Sequence, residues 1–252
     1  MNVILVGRNP EKLENSEKLV KNANKDIQTR CVVFDFNKSR EASHYQDLFD
    51  KVKDLDISIV VNNAGVLYFG RFKDLTNEQI IQTIETNLIG PTYIMKIFID
   101  KLRMRKSRSA FINVESQAGV NPLPCVQVYA ATKAYGISLT CALISEHKNL
   151  ESKENGSETS NIDFLSFDPA GVKTKMAFNV SGPGVSTPLD CANACFRDLG
   201  IETKTTPCMS HDFQSWMSVT FKQISDTLYF NVYYHLFALV IKGIDRLGMK
   251  QE

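Results

Sequence analysis

Five short apolar runs, set apart by stretches of helical length, restrict this chain to one kind of architecture. They are Asn2 to Val6 (NVILV), Thr29 to Phe36, Ile57 to Val61 (ISIVV), Ala110 to Val114 and Ile162 to Phe167. The run Ile57 to Val61, unbroken in its apolar character, suits a strand covered on both faces, as in a parallel sheet. Between the runs lie helical segments: from Pro10 to about Ala23, Ala42 to Lys53, Asn77 to about Met104 with Pro91 marking a kink or restart, and about Val128 to Lys148. Strands alternating with helices predict an α/β fold, a parallel sheet wound on both faces. Glu151 to Asn161 reads as a polar surface loop; beyond Gly182 the pattern yields only a short strand within Thr205 to His211. The 252 residues suit a single domain, 1–252, with a substantial core.

Composition excludes several functions. A net charge of +1 leaves no basic excess for nucleic acid, and Arg103 to Arg108 (RMRKSR) reads as a solvated helix end. The six cysteines form no C-x-x-C and read as reduced core thiols, while the four histidines, at 44, 147, 211 and 235, have no metal-ligand spacing. The first residues carry no signal-peptide pattern. Near the other end, an apolar helix is expected at about 227–243, its core reading TLYFNVYYHLFALVI. A bilayer span needs ~20 apolar residues. Three readings stay open: a core helix, an interfacial or membrane-docking helix with Lys222, Lys242, Arg246 and Lys250 toward headgroups, or a true span.

Ser116, Tyr129 and Lys133 form the chemical centre of the sequence. Lys133 follows Tyr129 by four residues, so on a helix their Cβ atoms share a face about 5–6 Å apart. A nearby cation favours the ionised phenol by roughly 1–3 units, which brings an ordinary pKa of ~10 toward neutrality and makes an acid or base. Ser116 ends the apolar run Ala110 to Val114, and Gly119, Pro122 and Pro124 punctuate a loop before the tyrosine helix. A strand-end hydroxyl facing a helix-start phenol makes a cleft for a carbonyl oxygen. Alone, Y-x-x-x-K reads far more readily as a solvated helical pair.

In company, these residues resemble the short-chain dehydrogenase/reductase family. Asn62-Asn63-Ala64-Gly65 is similar to its N-N-A-G strand end, Asn87 in E-T-N-L-I-G to its helix asparagine, and Pro169 to Thr174 to its P-G-x-V-x-T segment, with Ala170 where the family has glycine. The resemblance implies a Rossmann-like doubly wound parallel sheet. It implies that Ser116 holds a substrate carbonyl oxygen, Tyr129 donates a proton, Lys133 lowers the phenol's pKa and binds ribose, and the Asn87 backbone holds a relay water. It assigns the cofactor to Arg8, Asp35, Asn62, Ala64, Gly65, Tyr129, Lys133, Pro169, Val172 and Thr174. Arg8 after the first strand favours NADP(H) over NAD. R-N-x-E-K-L from Arg8, Pro122-Leu123-Pro124 and Thr174-Lys175-Met176 resemble the branch of 17β-hydroxysteroid dehydrogenases and very-long-chain 3-oxoacyl-CoA reductases. That branch implies reduction of a ketone on a lipid-like substrate, 3-ketoacyl-CoA or steroid, at the endoplasmic reticulum membrane, with the cytoplasm as the alternative and a homodimer as the expected assembly.

Two departures set further expectations. The family's glycine-rich turn and first, central strand belong upstream of Asn2 to Val6, and the chain begins too late to hold them. Without that strand two ladders stand unpaired mid-sheet, and each unpaired buried backbone group costs ~1–3 kcal/mol against a total of ~5–15. The expectation is an N-terminally incomplete chain or a sheet that closes abnormally and catalyses poorly; a non-catalytic binding or membrane-associated scaffold is the alternative reading. Glu115 stands where the branch has a small polar residue before the serine.

Overall fold

The computed structural model describes residues 1–148, 161–179, 181–182 and 184–235. Strand β1 (Val3–Gly7) leads into α1 (Pro10–Ala23), whose start is fixed locally: the Asn9 side chain accepts from Lys12 N at 2.9 Å and Pro10 supplies a preset φ. Then come β2 (Thr29–Val33), α2 (Ala42–Asp50) and β3 (Ile59–Asn62). The long segment from Asn77 is two helices, α3 (Asn77–Ile84) and α4 (Gly90–Arg103), joined by a π turn at Glu85–Ile89. Pro91 sits in the first turn of α4, where its missing N–H costs nothing. β4 (Ser109–Val114), the single turn α5 (Gln117–Val120), α6 (Gln127–Glu146) and β5 (Ile162–Phe167) follow. Short strands β6 (Gly171–Val172) and β7 (Val185–Ser186) pair with each other. α7 (Pro188–Asp198), β8 (Lys204–Thr205) and α8 (Met209–Ile224) come next, and 226–235 is again helical.

Among the described residues every ladder is parallel, as expected, but the strands fall into separate sheets. There β1 pairs with β2 alone, while β3, β4, β5 and β8 form a second sheet in that order, apart from the small β6–β7 pair. β1 and β3 share no ladder, so the run Ile57 to Val61, expected to be covered on both faces, is half open: Val61 is 49% exposed and Val6 is 38% exposed. An unpaired strand edge leaves flanking side chains without neighbours to cover them.

Two cores enclose the larger sheet because successive strand residues point to opposite faces. On one face Phe111 and Phe164 pack with Tyr45 and Leu48 of α2, Ile94, Phe98 and Leu102 of α4, and the apolar side of α6. On the other face Ile112, Leu165 and Phe167 pack with Cys191, Ala194 and Cys195 of α7. The six cysteines are free, but the expectation of core thiols holds only for Cys125, Cys191 and Cys195: Cys31 and Cys141 are exposed and Cys208 is half-buried. In the expected apolar helix at 227–243, Tyr229 is fully buried and its hydroxyl donates to Pro122 O at 3.2 Å, whereas Leu228, Phe230, Val232 and Tyr234 are exposed. Its remainder, 236–243, lies outside the described residues. Among the described residues no helix is long and apolar enough to cross a membrane.

Candidate active site

A cavity of about 790 Å³ opens beyond the C-terminal ends of β3, β4 and β5. Open α/β sheets bind ligands at this edge, where strand ends stop and loops diverge. Ser116, Tyr129 and Lys133 all line it, together with Asn63, Gly65, Gln117, Pro169, Val172 and Thr174. Its far wall is apolar, built from Leu67, Phe69, Leu123, Val126, Met176 and Phe196.

Local structure holds the three central side chains. Ser116 leaves β4 in extended conformation and caps α5, its Oγ accepting from Ala118 N at 3.2 Å. α5 then lies directly on α6: a Cβ on Gly119 would stand 2.6 Å from Lys133 C and 2.7 Å from Ala134 N. Only glycine permits that approach. Tyr129 sits in the first turn of α6, and Lys133 one turn on is 6% exposed. The Lys133 ammonium donates to Val114 O at 2.7 Å and lies 3.6 Å from Glu115 Oε2 and 5.8 Å from the Tyr129 ring centre. It is thus held between the end of β4 and the phenol, not solvated with it.

Two buried carboxyls make the surroundings electrically unusual: Glu115 lines the cavity and Asp168 lies behind its lining. Burial pushes the Glu115 carboxyl up to about 7, against the opposing pull of Lys133. Burial likewise raises Asp168, opposed by the Ser166 hydroxyl at 2.7 Å and by Lys204, whose ammonium is 3.4 Å away. Gln117 ties the two strand ends together, donating its side chain to Asp168 O at 3.1 Å and its backbone N–H to Pro169 O at 3.0 Å.

The other expected residues divide. Asn87 lies in the π turn, and its side chain accepts from Val66 N at 2.8 Å and donates to Val66 O at 2.9 Å, so it fixes the loop after β3 through its amide. Asn63 and Gly65 of that loop line the cavity, while Asn62 and Ala64 do not; the Asn62 side chain donates to Asn113 Oδ1 at 2.7 Å across β3 and β4. Arg8 and Asp35 stand at the ends of β1 and β2, outside the cavity lining, and the Asp35 carboxylate accepts from Asn37 N at 3.1 Å. Ala170, in place of the expected glycine, carries no left-handed backbone and so costs no strain; its N–H donates to His211 Nδ1 at 3.1 Å. Sequence reasoning missed the walls given by α7, α8 and Tyr233. The Thr187-Pro-Leu-Asp190 capping box, whose two reciprocal hydrogen bonds are formed, was the available signal for α7.

A family model of short chain dehydrogenases matches residues 1–182. The chain belongs to this family. The short chain dehydrogenase described here is 32% identical over 149 residues to hydroxysteroid dehydrogenase-like protein 1 of Gallus gallus, covering 58% of this chain and 44% of the relative. It is 25% identical over 228 residues to a very-long-chain 3-oxoacyl-CoA reductase of Anas platyrhynchos, covering 86% and 67%. The chain therefore spans about half to two thirds of the length of these curated relatives. A short-chain dehydrogenase from Sphingobium yanoikuyae, solved in complex with NADPH, superposes with a TM-score of 0.65 at 20% identity over 89% of this chain and 86% of that one. At that identity the likeness establishes the Rossmann-like fold.

Proposed function

We propose that the chain reduces a ketone on a lipid-like substrate, a 3-ketoacyl-CoA or steroid, with NADPH as hydride donor. One observation carries this reading: Ser116, Tyr129 and Lys133 line a single cavity whose far wall is apolar. A 790 Å³ site of this lining suits a large apolar ligand with one polar group to orient. Similarity to a very-long-chain 3-oxoacyl-CoA reductase supports the substrate class.

The residues fit the nicotinamide end of the cofactor. Gly65 leaves its side open, the nearest atom to an added Cβ being Asn87 Oδ1 at 3.5 Å, and Pro169, Val172 and Thr174 border the same space. When bound there, the cofactor supplies the hydride. The pyrophosphate end has no comparable cradle among the described residues: the start of α1 is capped by Asn9 and carries Pro10, which leaves fewer free donors to hold phosphate. Arg8 and Asp35 are proposed for the adenosine end, and Asn62 and Ala64 as supports for the loop carrying Gly65.

Ser116 Oγ orients the substrate oxygen at the cavity floor. The Tyr129 hydroxyl gives its proton to that oxygen, and the Lys133 ammonium stabilises the phenolate left behind, an electrostatic effect strengthened by its burial. Asn87 keeps the adjoining loop in register. NADPH oxidation measured with 3-ketoacyl-CoA and steroid ketones tests the reading; Tyr129→Phe should lower kcat by at least ~10²-fold. Turnover unaffected by that substitution would refute the assignment.

The open edge between β1 and β3 favours a second reading, a scaffold that binds without turning over. NADPH affinity in the micromolar range would count against it. The endoplasmic reticulum membrane is the proposed location, on the strength of the reductase similarity, with the cytoplasm as alternative; a homodimer is the proposed assembly.

A further inference from the structure

Glu115 is a buried carboxyl that the proposed chemistry leaves unused. It is 4% exposed, and its Oε2 accepts no hydrogen bond among the described residues although the Lys133 ammonium is 3.6 Å away. The fold makes room for it: α6 carries Gly136 opposite, where a Cβ would stand 2.0 Å from Glu115 Oε1. A side chain at Gly136 would therefore fill the slot, and the strand and helix have complementary shapes at this one point.

The charged groups around Glu115 come from three elements. Lys133 on α6 attracts its ionised form, Asp168 after β5 repels it, and Lys204 on β8 acts on Asp168 rather than directly on Glu115. Burial outweighs the attraction, so the carboxyl passes between neutral and ionised near neutral pH. Lys133 lies between Glu115 and the end of β4 on one side and the phenol on the other, and it donates to Val114 O.

We propose that Glu115 is a positioning residue for Lys133: as a carboxylate it holds the ammonium at the end of β4, and as a neutral acid it releases it toward Tyr129. The proton comes from solvent, converting COO⁻ to COOH with no other bond changed. This proposal rests on the reductase reading for its kinetic consequence but not for the titration itself.

The test has two arms. In the first, kcat/KM for NADPH-dependent ketone reduction is followed from pH 5 to 9 in the wild type and in Glu115→Gln. The wild type should lose activity about tenfold per pH unit above about 7, and the variant should stay level across that span. Superimposable profiles would overturn the proposal. In the second arm the infrared C=O band of a buried carboxylic acid is titrated without substrate. The component obtained by subtracting the Glu115→Gln spectrum, which leaves Asp168 in both, should vanish near pH 7 in the wild type and persist to higher pH in Lys133→Met, circular dichroism confirming that each variant is folded. A band that disappears in the ordinary carboxylate range, or that Lys133→Met leaves unmoved, overturns the proposal. If no ketone is reduced by the wild type, the reductase reading fails and the infrared arm still decides the coupling.

Discussion

Replacing Gly119 by alanine should impair the site without touching any group that meets substrate. An added Cβ would lie 2.6 Å from Lys133 C, 2.7 Å from Ala134 N and 3.0 Å from Ile137 Cδ1. Two of those atoms are helix backbone, which cannot rotate away as a side-chain end can. Ordinary contact begins at 3.4 Å, so α5 and α6 must separate by about 0.8 Å, the difference between 3.4 and 2.6. Such overpacking costs ~1–3 kcal/mol, and at this chain length each kcal/mol lowers Tm by roughly 2–4 °C. Because Ser116 caps α5 and Lys133 sits on the displaced stretch of α6, the shift opens the distance between the hydroxyl and the phenol. A ~1 Å misplacement of catalytic groups costs on the order of 10²-fold in rate. Thermal unfolding and kcat/KM for ketone reduction, measured side by side, provide the assay. An alanine variant with wild-type Tm and activity within twofold of the parent would refute the claim that this backbone contact sets the geometry.

Three other outcomes are expected. Gly136→Ala should destabilise the fold by ~1–3 kcal/mol through its clash with Glu115 Oε1, and adding Glu115→Ser should restore most of the loss; denaturant titration of the two single variants and the double variant checks this, and additive losses would contradict it. His211 is buried with its pKa held below 6.5 and accepts from Ala170 N, so its neutral form stabilises the fold above pH ~6.5 and that contribution drains away as pH falls further; His211→Asn should flatten the acid limb of a Tm against pH curve. Trp216, the single tryptophan, is 62% exposed beside Phe213 on α8, so its emission should be that of a solvated indole, readily quenched by acrylamide; a blue-shifted, protected spectrum would contradict that exposure.

The strand-and-helix cadence was legible because the strands β4 and β5 are enclosed on both faces, and a run such as Ala110 to Val114 cannot hide that in its composition. The meeting of Tyr129 and Lys133 in one cavity was legible for a different reason: helical spacing fixes Lys133 above Tyr129 whatever surrounds them. What the spacing could not reveal is where the ammonium points, since Val114 O and Glu115 belong to a strand whose approach to α6 depends on Gly119 and Gly136. The run Ile57 to Val61 alone predicts cover on both faces, whereas Val61 at its end stands exposed. α7 and α8 escaped notice because their faces toward the core are built from cysteine, alanine, serine and histidine, while Phe213 and Trp216 point outward and blur the periodicity.

The two sheets are joined by rings instead of by a ladder. Tyr45 of α2 stacks on Tyr93 of α4 with centres 4.9 Å apart, and Phe34 and Phe36 close around the same tyrosine. Side-chain contacts of this kind slip more readily than paired backbone, so the amino-terminal β-α-β unit can loosen as a separate block. Deuterium should reach the amides of Val3–Gly7 and Thr29–Val33 well before those of Ser109–Val114, giving one small molecule two distinct clocks of exchange.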